Sequence, residues 1–495
     1  MDFRQLFASK PLDQLLEEAH GDQRLKRTLG PVNLTALGVG AVIGAGIFVS
    51  TGKAAHDVAG PALMLSYVVA GITCIFAALC YAEFASMAPV AGSAYTYAYV
   101  TMGELFAWII GWDLILEYAV GAATVANGWS SYFQAVIAKM GIVLPDFIKQ
   151  ATVIYKDDHY ILTGAWINLP AVLIVAIITA VLVKGISESA GFNALMVFVK
   201  VTAVLFVILV GAFYITPSNW EPFAPYGWTG LSFFGHTVAG QVNPSTKEPI
   251  GMLAGAAIIF FAYIGFDSVS THAEEAKNPQ RDVPIGIVTS LVVCTILYIL
   301  VVAVLTGMVK YDKIDIHAGV SDAFKQVNLP WAEAIIAAAG VAGMTSVLLV
   351  MMLSAPRVFL AMARDGLVPK AFFADVHPHF RTPWKSTIAI GFFVAFLAGF
   401  LPIDALLHLT NIGTLFAFVI VCSAVLIMRK TNPNAHRPFR CPLVPFVPIM
   451  GILTCLMLMF SLPFENWLRL FAWMAIGLAI YYFYGHQHSV LRKQS

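Results

Sequence analysis

Four features of this sequence could do chemistry inside an apolar environment. They are a glycine-interrupted run, Gly40-Ala-Val-Ile-Gly-Ala-Gly46; an acid closing an apolar run, Phe260-Phe-Ala-Tyr-Ile-Gly-Phe-Asp267; and two lone charges, Glu117 in Trp112-Asp-Leu-Ile-Leu-Glu-Tyr118 and Lys200 in Leu195-Met-Val-Phe-Val-Lys-Val201. A glycine in a helix interior costs about 1 kcal/mol relative to alanine, so three within one short run predict an interrupted helix or a close neighbour. If the helix breaks near Gly44-Ala-Gly46, the amides that open its second half lose their helical partners. They then face inward with the positive end of a helix dipole behind them, an arrangement that attracts a carboxylate. The competing reading is a small-residue packing stripe, since Gly40, Gly44 and Gly52 lie at multiples of four. At the other interruption the carbonyls of Phe261, Ala262 and Ile264 could accept from an ammonium, or these residues are ordinary core. Asp267 is either a gating acid or a cap on a second half-helix.

A charge inside a membrane span faces the bundle interior or water and is a functional candidate by default. Burial disfavours the charged form of a lysine, so Lys200 could exchange a proton and, as an ammonium, occupy a place suited to a metal cation. Its alternatives are reaching for an interface and a structural ion pair. Glu117 either bonds a neighbouring helix or meets a polar or cationic ligand.

These residues must be positioned by membrane helices. The chain has 495 residues, 59% of them hydrophobic and 12% charged, with a mean hydropathy of +0.79. That balance fits an all-α integral membrane protein rather than several soluble domains. A net charge of +1 gives no support for nucleic-acid binding. The six cysteines stand singly, without CxxC spacing, and the histidines form no metal set; no metal and no cofactor is expected. No phosphate-binding glycine loop is present and no ATPase subunit is expected. The N-terminus lacks the apolar core of a signal peptide and reads as a cytoplasmic tail with an amphipathic stretch.

At about 20 apolar residues per crossing, about twelve spans are expected, at 34–57, 61–88, 103–137, 165–184, 189–215, 250–275, 283–308, 330–363, 384–400, 403–428, 445–462 and 464–485. The third and eighth are long for one crossing, and the last two meet near Pro463. Lysine and arginine are roughly twice as frequent in the loops on the N-terminal side, placing both termini in the cytoplasm. The interruptions fall in spans 1 and 6, each opening a group of five, where a five-plus-five inverted repeat places its discontinuous helices. The expected division is a tail at 1–33, a transporter domain at 34–485 (repeats at 34–215 and 250–428, two extra helices at 445–485) and a tail at 486–495.

Gly40-Ala-Val-Ile-Gly-Ala-Gly-Ile-Phe-Val49, Phe260–Asp267, Glu274-Glu-Ala-Lys-Asn-Pro279 and Pro356-Arg-Val-Phe-Leu-Ala-Met-Ala-Arg-Asp-Gly-Leu-Val-Pro369 together resemble the amino acid–polyamine–organocation superfamily, more narrowly bacterial members of its cationic amino acid transporter subfamily. The resemblance covers nearly the whole chain. It implies the inverted-repeat (LeuT-like) fold and alternating-access amino acid transport in the plasma membrane, the inner membrane of a bacterium, by a chain that acts as a monomer. It also implies that a substrate carboxylate meets the backbone at Ile43, Gly44, Ala45 and Gly46 and its α-amino group the carbonyls at Phe261, Ala262 and Ile264. Lys200 then matches a lysine linked to proton coupling, Glu117 an acid near the substrate side chain, and Met344 borders that pocket. Ala45 stands where relatives often carry threonine or serine, so a hydroxyl to the carboxylate is missing. Cationic and small neutral amino acids fit equally. The partners expected are an amino acid, protons and the lipid bilayer; the alternative is an amino acid or polyamine exchanger without proton coupling.

Overall fold

A computed structural model describes residues 7–11, 27, 29–90, 92–156, 159–234, 236–244, 249–316, 319–380, 382–462 and 464–494. The amphipathic stretch expected in the N-terminal tail and the turn at Pro463 lie outside the described residues.

Helix α1, Pro31–Val42, starts with proline at its first position, where the missing amide proton has no partner to lose. It stops where Ile43 turns extended, at ψ 103°. The chain continues through a widened turn at Gly46–Ser50, helix α2 at Thr51–Ala54 and a second widened turn at Ala55–Ala59. Gly60, at φ +60°, and Pro61 then reverse it into α3, Leu63–Met87. After the short α4, Ala94–Thr101, the long α5 runs Glu104–Lys139; α6 and α7 follow at Leu169–Lys184 and Ile186–Gly211. The second interrupted segment comprises α8, Met252–Ile259, a 3-10 turn at Phe260–Tyr263 and α9, Ser268–Thr271. Beyond it lie α10 at Pro279–Met308, the short α11 at Gly319–Gln326, the long α12 at Pro330–Arg364, α13 at Trp384–Phe400, α14 at Ile403–Thr431, α15 at Phe446–Phe460 and α16 at Phe464–Ile480.

Among the described residues, eight helical stretches are long and apolar enough to cross a membrane, and α6, α13 and α15 are shorter apolar helices. One of the eight, Pro31–Met87, is 57 residues long and holds the Gly60-Pro61 reversal, so it has length for two crossings of about 20 residues each. The expectation of an all-α chain needs one correction. Three two-stranded antiparallel ladders occupy the connections, Val153–Lys156 with His159–Leu162, Leu231–Phe233 with His236–Ala239, and Gln241–Val242 with Pro249–Ile250. They fall outside the apolar runs, where β-branched and aromatic residues flank turns and no span dictates a helix.

The bundle has an apolar core and an apolar outer face, with a few charges buried between its helices. Phe198, Phe213 and Phe392 are exposed on α7, just beyond its end and on α13, while Glu117, Lys200 and Asp267 are fully buried. Hydrocarbon, not water, is the surrounding that suits such a surface. The core runs along α5 and α12, which pack on each other, with α3 against α10 and α6 against α13. Glu83 of α3 accepts from Arg429 (2.9 and 2.7 Å), Arg437 (3.1 Å) and the Cys441 amide (2.7 Å), fixing the segment after α14.

Candidate functional site

The first break is built from orphaned carbonyls as well as free amides. The Ile43 amide still bonds back to the Val39 carbonyl at 3.1 Å; beyond it the next to do so is that of Phe48, to the Gly44 carbonyl at 3.2 Å, which leaves the amides of Gly44, Ala45 and Gly46 without a helical acceptor. On the other side of the break, the last carbonyls of α1 are met by side chains. Lys200 Nζ from α7 donates to Gly40 O at 2.5 Å and Ile43 O at 2.9 Å, with Ser346 Oγ of α12 at 3.4 Å. Ser346 is held in turn by Asn193 Oδ1 at 2.7 Å. An ammonium has three protons and here three neutral acceptors, at the helix end whose dipole favours a cation. The ion-pair alternative for Lys200 is therefore not what forms, nor does the side chain reach an interface.

At the second break Ile264 turns extended, at ψ 133°, and Gly265 sits at φ +116°, a conformation that disfavours side chains. Asp267 stands at the N-cap position of α9 without a side-chain capping bond; its Oδ2 instead accepts from Tyr118 of α5 at 2.7 Å. The carbonyl of Phe261 is taken by the Ile264 amide at 3.2 Å. That of Ala262 is met by the Tyr298 hydroxyl of α10 at 2.9 Å, and the same hydroxyl reaches the Val42 carbonyl at 2.8 Å.

The two breaks touch. A Cβ on Gly46 would overlap the Ala262 backbone, and one on Gly44 would overlap Val347 of α12. In this conformation both glycines make room for protein, which is the packing reading; because α1 ends at Val42, however, Gly40, Gly44 and Gly52 do not form one stripe on one helix. Ala45 and Met344 come together around Gly128, whose Cβ would lie 3.5 Å from the Ala45 methyl and 3.2 Å from the Met344 sulfur.

Glu117 lies elsewhere. From Gly128 to Glu117 is 128 − 117 = 11 residues of α5, about 16 Å along the axis. Neither of its oxygens accepts a hydrogen bond from a described residue. Thr414 stands beside it but gives its one hydroxyl proton to the Thr410 carbonyl at 3.1 Å. Glu117 is thus grouped with Asp267 and Asp113, and among the described residues no hydrogen bond joins it to Lys200; Ala45 and Met344 lie apart from it, beside Gly128. The run after the second break is a loop anchor: Glu275 pairs with Arg357 at 2.6 Å, Glu274 with Arg364 at 3.2 Å, and Leu29 bridges to Ala276.

A family model described as amino acid permease matches residues 29–481. The chain belongs to that family. Among similar proteins of Bacillus subtilis (strain 168), a methylthioribose transporter is 43% identical over 488 residues and the branched-chain amino acid permease BcaP 45% identical over 489, each covering 99% of both chains. The human cationic amino acid transporter 4 is 36% identical over 425 residues, 84% of this chain and 62% of its own. The family is one of transporters, not enzymes, and the superfamily resemblance of the sequence holds. In this permease Tyr118, Tyr298, Asn193 and Ser346 were missed from the sequence. A buried tyrosine needs a partner for its hydroxyl, a signal that could have singled out Tyr118 and Tyr298 without saying what they meet.

Proposed function

We propose that this permease takes up amino acids across the plasma membrane by alternating access, coupled to protons through Lys200. The observation that carries the reading is the contact of the two breaks, with Gly46 against Ala262 and Lys200 closing the end of α1. A substrate carboxylate fits the amides from Gly44 to Gly46 and an ammonium the carbonyls of Ala262 and Ile264. The Ala45 methyl and Met344 thioether favour an apolar side chain, in keeping with the relative named for branched-chain amino acids. On losing its proton Lys200 gives up one donor and the attraction of the α1 carbonyls, which frees the break to move. Glu117 and Asp267 serve the path beyond the pocket.

The five-plus-five repeat is supported by matching lengths at corresponding places. α5 and α12, the third and eighth spans, have 36 and 35 residues; α6 and α13, the fourth and ninth, have 16 and 17; short helices α4 and α11 precede the long ones. Dividing Pro31–Met87 in two and adding the three shorter apolar helices gives the twelve spans. Both termini in the cytoplasm, the division at 34–485 and a monomeric state belong to the same reading. The second reading, exchange without protons, is favoured by the neutral partners of Lys200, which would equally suit a permanent ammonium that only holds the break.

The purified protein should be stabilised against heat by some of the standard amino acids. Binding to the native state adds about 2.7 kcal/mol at a hundredfold excess over Kd. Labelled forms of the stabilising amino acids should enter proteoliposomes; stabilisation by none of them would contradict the reading.

A further inference from the structure

Tyr298 has one hydroxyl proton and two acceptors. Its oxygen lies 2.8 Å from the Val42 carbonyl and 2.9 Å from the Ala262 carbonyl, one from each break. The residue is fully buried, and its ring is wedged edge-on against Tyr67 and Tyr263, with centroids 5.4 and 5.5 Å away. Tyr263 is itself tied to the Tyr67 carbonyl at 2.8 Å. The ring is thus fixed and only the hydroxyl proton is free to turn. A single proton serves one acceptor at a time, and a buried carbonyl without a donor is unfavourable by about 1–3 kcal/mol.

We propose that the Tyr298 hydroxyl is a place-holder for the substrate ammonium, covering without ligand the Ala262 carbonyl that the ammonium meets when ligand is bound. The inference rests on the amino acid reading above. The α-ammonium is attached to the same carbon as the carboxylate, and Ala262 touches Gly46, so an ammonium beside a carboxylate held at Gly44–Gly46 meets Ala262. Loading then leaves the hydroxyl to Val42 alone. Tyr298 is a positioning residue: it keeps two carbonyl ends, no more than about 5.7 Å apart by the sum of the two bonds (2.8 + 2.9), from repelling one another while the site awaits its ligand.

Tyr298→Phe keeps the ring and removes the donor, so the ammonium becomes the sole donor for the Ala262 carbonyl. The Kd of a stabilising amino acid and of its deaminated carboxylic acid would be measured in wild type and variant. The ratio of the acid's Kd to the amino acid's should rise at least threefold in Tyr298→Phe, whereas a packing role for the ring would shift both ligands together. A ratio that rises less than threefold, or falls, overturns the inference. Should wild type bind no amino acid at all, the reading of the site fails and the inference with it. If the variant does not fold, an amino-acid-bound wild-type structure decides: a ligand nitrogen on Ala262 O with Tyr298 kept to Val42 supports the inference, and any other placement of that nitrogen overturns it.

Discussion

Gly44 and Gly46 differ in what a methyl group would meet, and that difference can be measured. At Gly46 the added Cβ would overlap the Ala262 Cα and lie 2.5 Å from its Cβ and 3.0 Å from its amide nitrogen. Carbon atoms rest at about 3.5–4.0 Å, so the two breaks must separate by roughly an ångström. At Gly44 the clash is with Val347 Cγ2, and the next atom, Val347 Cβ, is 3.2 Å away. Overpacking costs typically about 1–3 kcal/mol, which at 1.4 kcal/mol per tenfold is roughly 5- to 150-fold in the population of the touching conformation. Gly44→Ala and Gly46→Ala should each lower substrate affinity within that range. Val347→Ala deletes the offending methyl, so affinity in Gly44→Ala/Val347→Ala should return to within a few-fold of Val347→Ala alone. Ala262→Gly leaves the Cα and nitrogen in place and should not rescue Gly46→Ala. Binding titrations on protein in detergent read all five variants. Full rescue of Gly46→Ala by Ala262→Gly, or wild-type affinity in Gly46→Ala itself, would refute the contact between the breaks.

The remaining expectations concern the buried polar groups. Arg357 and Glu275 are 2% and 3% exposed in a 2.6 Å ion pair, so Arg357→Met leaves a buried carboxylate and should destabilise by about 3–5 kcal/mol; Arg357→Met/Glu275→Gln should recover much of this, as read by thermal unfolding. Tyr118→Phe takes the hydroxyl donor from Asp267 and should lower stability by about 1–3 kcal/mol, with Tyr118→Phe/Asp267→Asn no worse than the single change. Ser346→Ala removes a neutral partner of Lys200 while Gly40 O and Ile43 O stay; gradient-driven uptake should persist at a reduced rate.

The interruptions were legible because they break a local rule. Glycines in an apolar run placed the first break at Gly44–Gly46, and the helix ends at Val42; glycine and acid in Phe260–Asp267 placed the second, and it falls at Phe260–Tyr263 with Gly265 beyond. Lys200 and Asp267 were legible as charges at membrane depth. Their partners were not, since Ser346 and Tyr118 lie 146 and 149 positions away in the chain and the rotation of one helix against another is set by packing along its whole length. The same limit hid the separation of Glu117 from Ala45, because which turn of α5 lies level with the first break depends on tilt and not on composition. The short ladders escaped notice because hydropathy reports only the segments that lipid constrains.

Proton coupling through Lys200 is tested most directly by uptake of a labelled substrate amino acid into proteoliposomes with and without an inside-alkaline gradient, in wild type and Lys200→Ala. Wild type should accumulate substrate only with the gradient. Lys200→Ala should lose that accumulation while counterflow exchange persists. Undiminished gradient-driven accumulation in Lys200→Ala would contradict the proton role assigned to this lysine.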